Sequence, residues 1–247
     1  IAKFPTIVAY AYNILRHTQQ GRSLHIRHPN ENMSYAENFL YMMKGPNSYT
    51  ELDIKILDLT LILHADHGGG NNSTFAVRVV SSTQTDTYSA IAAGIGSLKG
   101  PLHGGANKEA YNKSGLIYGI GHAVYTVSDP RALLLKEMAR AMAIEKGIEK
   151  EFTFLELLDE RAVNAFMTFK GDGIGKQVCT NVDFYSGFVY EALGLPCEIF
   201  TPMFAMSRVA GWTAHRIEEL NFASKRIIRP AYKNVGERKK FIPLDKR

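Results

Sequence analysis

The sequence predicts an all-α protein. Three observations carry that expectation. Apolar residues recur at helical spacing along most of the chain, cap and stop residues bracket those stretches, and alternating β-branched runs joined by hairpin turns are nearly absent.

The first helix is expected over residues 5–19, where Ile7, Ala9, Tyr10, Ile14 and Leu15 recur at helical spacing behind Pro5. A second covers 35–43, Tyr-Ala-Glu-Asn-Phe-Leu-Tyr-Met-Met. Residues 52–64 carry Leu52, Ile54, Ile56, Leu57, Leu59, Leu61, Ile62 and Leu63, a run too long for an ordinary strand and therefore read as a buried helix. Another begins near residue 72, with Asn72 or Ser73 as its cap. The clearest helix follows Ser128. Asp129 fits the N-cap and Pro130 the first helical position, where its missing N–H costs nothing. Leu133, Leu134, Met138, Ala141 and Met142 form the expected buried stripe, Lys146 falls in the last turn and Gly147 just beyond it. Helices over 152–169, 183–193 and 207–220 complete the set, the second stopped by Gly194 and Pro196.

With 247 residues the chain makes one large domain or two modest ones, enough to bury about 70–75% of the surface its unfolded form exposes. A hydrophobic fraction of 45% and a net charge of only +5 exclude intrinsic disorder, and 21 Gly with 9 Pro in no period exclude a collagen-like chain. The excess of 29 Lys and Arg over 24 Asp and Glu suits anionic small molecules as well as nucleic acid. Cys179 and Cys197 are too few for a disulfide framework and lack zinc spacing, so reduced thiols are expected. The longest apolar runs, 57–63 and 90–95, fall short of a membrane span. No secretory leader is recognisable at Ile1, and a cytoplasmic location is the resulting expectation.

Several motifs carry polar chemistry. Gly171-Asp-Gly-Ile-Gly175 looks like a nucleotide loop but lacks the strand before and the helix after, so it reads as a plain loop. His64-Ala-Asp-His67 sets two imidazoles three residues apart, a spacing that allows a metal pair, a structural pair or a contact to an anion. Gly68 to Thr74 then ends one helix and opens another, a natural seat for a carboxylate. In Gly100-Pro-Leu-His-Gly-Gly-Ala-Asn107, His103 sits between helices among glycines that let a ligand approach. Gly119-Ile-Gly-His-Ala-Val-Tyr125 repeats that pattern around His122. Arg131 lies in a helical first turn, unfavourable for the helix dipole unless an anion accompanies it. Asn181-Val-Asp-Phe-Tyr-Ser-Gly187 puts Asp183 at a helix start, where it serves as a cap or as a reactive acid. Arg208 and Arg229 stand among apolar neighbours, and half-buried arginines want carboxylate or phosphate partners.

Together and in this order, His-Ala-Asp-His at 64–67, the motifs at 100–107, 121–131 and 181–187, Ser-Arg-Val-Ala-Gly-Trp at 207–212 and Arg-Pro at 229–230 resemble the citrate synthase family, over nearly the whole chain. The resemblance implies a helical fold of two domains. A larger one would comprise 1–102 and 201–247, a smaller mobile one 103–200. It implies that Asp183 removes the methyl proton of acetyl-CoA while His103 holds the thioester oxygen, and that the resulting enol attacks the carbonyl of oxaloacetate, polarised by His122. Hydrolysis of citryl-CoA then yields citrate and CoA at the entry to the tricarboxylic acid cycle. By the same resemblance, His67, Asn71, Arg131 and Arg208 hold oxaloacetate, joined by Arg229 from the partner of a homodimer with a shared site, or of a higher oligomer. The backbone of Ile117, Tyr118, Gly119, Ile120 and Gly121 would cradle CoA. No metal and no permanently bound cofactor is implied.

Two departures accompany the resemblance. Family members carry a further helical region before the segment matching Ile1, and more helical turns between the two histidines, here separated by only 18 residues. The chain is therefore expected to be part of a longer protein, with an internal segment absent after Asn107. The nearest alternative is a 2-methylcitrate synthase using propionyl-CoA, since one methylene is worth only about 1–3 kcal/mol in a pocket. A helical interaction module without catalysis is a further alternative, against which the joint presence of His103, His122 and Asp183 argues. The basic run Arg226, Arg229, Lys233, Arg238, Lys239 and Lys240 is too bare to indicate nucleic acid, and neither nucleic acid nor membrane is expected as a partner.

Overall fold

The computed structural model describes residues 1–104, 119–121, 125, 127–170, 178–231, 233, 235, 236 and 243, apart from the side chains of 167, 169 and 170. The expectations for Ile117, Tyr118, His122 and the 171–175 loop lie outside the described residues. What is described is helical apart from loops and turns and one isolated antiparallel bridge between Ile120 and Thr180.

Nine helices are described, α1 (Phe4–Gln20), α2 (Tyr35–Lys44), α3 (Glu51–His64), α4 (Asn72–Ser81), α5 (Thr87–Leu98), α6 (Pro130–Lys146), α7 (Glu149–Lys170), α8 (Val182–Ala192) and α9 (Phe200–Asn221), the last entered through a 3-10 turn at Cys197–Ile199. Local signals account for most of their ends. The Ser34 hydroxyl accepts the Glu37 N–H at the start of α2, and Thr50 with Asp53 forms a reciprocal capping box on α3. Asp129 caps α6, and Gly147 ends it in the left-handed conformation at φ 67°.

Three local expectations are corrected. The cap of α4 is Asn71, whose side chain makes no capping bond to the helix. Helix α9 begins at Phe200 rather than near 207, because Pro202 falls in the first turn, where a missing N–H is harmless. In α6, Leu133 and Leu134 are exposed, and the buried face is Ala132, Leu135, Ala139, Met142 and Ala143. That helix is apolar around much of its circumference, and the face turned inward carries three alanines beside Leu135 and Met142, while the helix packs against α3 and α8.

Helix α3 packs against α2, α6, α8 and α9, and so occupies the middle of the molecule. The main apolar core runs from Val8, Phe39, Leu40, Ile56 and Leu57 through Leu135, Met142, Tyr185 and Val189 to Met203 and Met206. A second core gathers Val77, Ala90, Ile91, Leu98 and Val209 around Trp212, between α4, α5 and α9. Gly211 explains how α9 approaches the end of α3. A Cβ there would lie 2.5 Å from the Ala65 carbonyl oxygen and 2.7 Å from Asp66 Oδ1, while its own N–H donates to Ala65 O at 3.0 Å.

Candidate active site

Four helix ends or midpoints converge on one polar cluster. The end of α3 brings His64, the start of α4 brings Ser73, the start of α8 brings Asp183, and the middle of α9 brings Arg208. His64 is buried, its Nδ1 lies 2.8 Å from the Thr60 carbonyl oxygen, and its own carbonyl accepts Arg208 Nε at 2.8 Å. Its Nε2 lies 3.4 Å from Asp183 Oδ1.

Asp183 occupies the first turn of α8 because Asn181 caps that helix, the amide oxygen accepting the Asp183 N–H at 2.9 Å. The Asn181 Nδ2 donates to Gly121 O at 2.9 Å and its backbone N–H to Gly119 O at 2.8 Å, while Gly121 N–H donates to Cys179 O at 2.7 Å. The segment 119–121, expected to meet CoA, is thus pinned to the segment that presents Asp183. Both glycines sit at φ 91°, and at Gly119 a Cβ would come within 3.1 Å of Phe184.

His103 lies in the turn after α5, half-buried, with Nε2 3.3 Å from the Ser73 backbone N and 3.0 Å from its hydroxyl. A backbone N–H only donates, so Nε2 accepts and the ring proton sits on Nδ1. Burial, then the positive charges of Arg208 and His67, hold His103 below the usual imidazole value, which keeps it neutral at pH 7. Ser73 is held by Asn71 Oδ1 at 2.9 Å and Trp212 Nε1 at 3.3 Å.

Arg208 is 1% exposed and stacks over Phe204 at 4.5 Å, and its Nη1 has no hydrogen-bond partner among the described residues. Burial lowers it to about 10, against the favourable fields of Asp66 and Asp183, so it stays charged. A buried guanidinium with an unmatched donor beside a polar cluster is the signature of a place for an anion. Arg131 meets an anion of its own chain. Its Nε and Nη2 bond Asp129 Oδ1 and Oδ2 at 3.0 and 2.8 Å, and its guanidinium lies 5.4 Å from the Tyr125 ring centroid. The same Asp129 accepts the Val182 N–H at 3.2 Å, tying α6 to the start of α8. His67 is exposed, Asn71 is partly buried, and Arg229 is exposed in the extended segment after α9.

Of the residues singled out in the sequence, Asp183, Arg208, His103, His67 and Arg131 form one electrostatic neighbourhood, while Asn71 touches His103 through Ser73. Ser73 and Asp129 were expected only as caps and Thr60 not at all; the contacts of Ser73 with His103 and Trp212, and of Asp129 with Val182, join parts of the chain far apart in sequence. Among the described residues no three His, Cys, Asp or Glu side chains converge on a metal position, and no helix is long and apolar enough to cross a membrane.

A helical scaffold that gathers a carboxylate, an oriented neutral imidazole and a buried guanidinium can serve acid–base chemistry on an anionic ligand. The model of the citrate synthase C-terminal domain matches residues 1–113 and 108–231, two stretches that overlap at 108–113, and the chain belongs to the citrate synthase family. It is 37% identical to a citrate synthase of Synechocystis sp., an alignment covering all of this chain and 63% of that one. It is 34% identical to a 2-methylcitrate synthase of Shewanella oneidensis, covering all of this chain and 66% of that one. Among solved structures, a citrate synthase of Thermoplasma acidophilum in ternary complex with carboxymethyl coenzyme A and oxaloacetate superposes with a TM-score of 0.79 at 33% identity, over 99% of this chain and 66% of that one. The chain thus spans about two thirds of the length of these relatives.

Proposed function

We propose that the protein condenses acetyl-CoA with oxaloacetate and hydrolyses citryl-CoA to citrate and CoA, as an acyltransferase at the entry to the tricarboxylic acid cycle. The observation that carries this reading is that Asp183, in the first turn of α8, and His103, whose proton Ser73 holds on Nδ1, share the electrostatic neighbourhood of the buried Arg208. Asp183 takes a methyl proton from the thioester, and the C–H electron pair becomes the enolate. His103 Nδ1–H donates to the thioester oxygen where that charge collects. The enol carbon attacks the carbonyl carbon of oxaloacetate, and His122 donates to the oxygen of that carbonyl.

Arg208, Arg131, His67 and Asn71 hold the carboxylates, and Arg229 serves the site of the partner subunit in a homodimer. Gly119 to Gly121, with Ile117 and Tyr118, line the CoA end. The ranges 1–102 with 201–247 and 103–200 act as two domains whose closure gates the chemistry. Acetyl-CoA is a co-substrate, and the chemistry requires no metal. A cytoplasmic location goes with this reading.

The test is CoA thiol release from acetyl-CoA, with and without oxaloacetate, by the purified protein beside Asp183→Ala. Oxaloacetate-dependent release that vanishes in the variant supports both the reaction and the base. Release from neither acetyl-CoA nor propionyl-CoA overturns the reading. The 2-methylcitrate synthase relative motivates a second reading, in which propionyl-CoA is the preferred thioester. A higher kcat/KM with propionyl-CoA would establish it.

A further inference from the structure

We propose that His64 is a positioning residue for Asp183, presenting an unprotonated Nε2 as the hydrogen-bond acceptor for the carboxyl once that carboxyl has gained a proton. This inference rests on the reading of Asp183 as the base that removes a proton from a thioester methyl.

Hydrogen-bond polarity around the ring carries the argument. His64 Nδ1 lies 2.8 Å from the Thr60 carbonyl oxygen, and a carbonyl oxygen only accepts, so Nδ1 bears the ring proton. The arrangement is fixed on each side. Thr60 is buried with its hydroxyl donating to Ile56 O at 2.7 Å, Phe204 meets the ring edge-on at 5.5 Å, and Arg208 Nε holds the His64 carbonyl at 2.8 Å. With its proton on Nδ1, the neutral ring offers a lone pair at Nε2. Facing that lone pair is Asp183 Oδ1, and an ionised carboxylate also only accepts. Their separation of 3.4 Å exceeds the usual 2.7–3.2 Å of an N–O pair that shares a proton. A second proton on His64 would place another cation, 1% exposed, beside the buried guanidinium already bonded to its carbonyl.

The pair is therefore mismatched before proton transfer and matched after it. When the carboxylate takes the methyl proton and holds it at Oδ1, the new O–H donates to Nε2. No bond of His64 changes, and the proton stays on Asp183. An interaction made only after the proton moves favours the transfer itself. Asp183 has other partners too, and Oδ1 is the atom concerned here. The charged and titratable groups around the pair are Arg208 on α9, Tyr190 on α8, Arg131 on α6, Asp66 and His67 after α3, and His103.

Two variants separate this role from packing. His64→Asn keeps a donor for Thr60 O and offers nothing at Nε2, whereas His64→Gln can place an amide oxygen there. In His64→Asn, kcat should fall about 3- to 10-fold, the worth of one ordinary hydrogen bond, with KM for oxaloacetate unchanged. The isotope effect with methyl-deuterated acetyl-CoA should rise. The acid limb of kcat/KM for acetyl-CoA should move to lower pH, because an acceptor that favours the protonated carboxyl has been removed. His64→Gln should restore part of each change. An acid limb that moves to higher pH would mean that His64 is a cation in the resting state, and an unmoved limb would mean a purely structural residue. Either result overturns the proposal. Imidazole 15N shifts of the resting protein, assigned by their loss in His64→Gln, should show a protonated Nδ1 and a bare Nε2, and protons on both nitrogens would also overturn it. If the unaltered protein releases no CoA, the assigned reaction fails, while the 15N shifts still decide the state of the ring.

Discussion

Ser73 meets His103 through two of its own atoms, the backbone N–H at 3.3 Å and the hydroxyl at 3.0 Å, both on Nε2. The backbone contact alone fixes the ring proton on Nδ1, and the hydroxyl is positioned by Asn71 and Trp212. A histidine in a glycine-rich turn is thereby oriented by the start of α4, an element 30 residues away in sequence.

Ser73→Ala should separate these two contacts. The backbone N–H remains, so His103 keeps its tautomer, but the hydroxyl link to Asn71 and Trp212 is lost. One neutral hydrogen bond is worth about 0.5–1.5 kcal/mol, so kcat should fall about 3- to 10-fold, with far-ultraviolet circular dichroism unchanged. Activity equal to that of the unaltered protein would show that the amide alone orients the ring.

Arg208 and Arg216 lie two helical turns apart on α9 and are both buried, yet their surroundings differ. Arg216 is consumed by the chain. Its Nε donates to Thr87 Oγ1 at 3.2 Å, its Nη1 to Ser81 Oγ at 3.1 Å and its Nη2 to Thr85 O at 2.6 Å. Arg208 keeps Nη1 unmatched. Arg216→Met should lower the melting temperature and leave KM for oxaloacetate alone. Arg208→Lys keeps the charge but not the fork, and losing a charged hydrogen bond worth about 1.5–3 kcal/mol should raise that KM about 10- to 150-fold. Steady-state kinetics with oxaloacetate varied, beside a thermal melt, checks both expectations.

Asp129 joins three jobs, capping α6, pairing with Arg131 and accepting the Val182 N–H of α8. Burial pushes its carboxyl upward, but the Arg131 guanidinium and the N–H groups of Arg131 and Val182 outweigh that and leave it below the usual carboxylate value. A carboxyl lowered by folding stabilises the ionised fold above its unfolded value of about 3.9, and that contribution is lost as pH falls through the folded value. Asp129→Asn should therefore melt at a lower temperature at pH 7. The gap to the unaltered protein should shrink below about pH 4, as followed by melts across a pH series.

The fold was legible in the sequence because its signals are local. The Asp129-Pro130 start and Gly147 stop of α6 and the placement of Asp183 in the first turn of α8 all depend on residues within a few positions. What was not legible depends on distant contacts. The buried face of α6 is set by packing against α3 and α8, elements distant in sequence, and no reading of that helix alone selects Ala132 over Leu133. His64 and His67 looked like a pair in sequence, yet the fold buries one against Asp183 and exposes the other. Arg131, expected beside an anion, pairs in the fold with Asp129, two residues away.

Gly211 gives the sharpest packing prediction. Helix α9 crosses the end of α3 so closely that the Gly211 N–H bonds Ala65 O at 3.0 Å, and a Cβ would stand 2.5 Å from that oxygen. The obstacle is backbone, which cannot rotate away as a side-chain tip can. Gly211→Ala must push α9 from the turn that carries Asp66, and with it Arg208, which lies one turn earlier on the same helix and holds His64 O. Forcing a methyl into a packed contact costs about 1–3 kcal/mol. The variant should therefore lose stability in a denaturant melt and, in the fraction that remains folded, bind oxaloacetate more weakly. A variant as stable as the unaltered protein would show that the two helices can separate without disturbing the site.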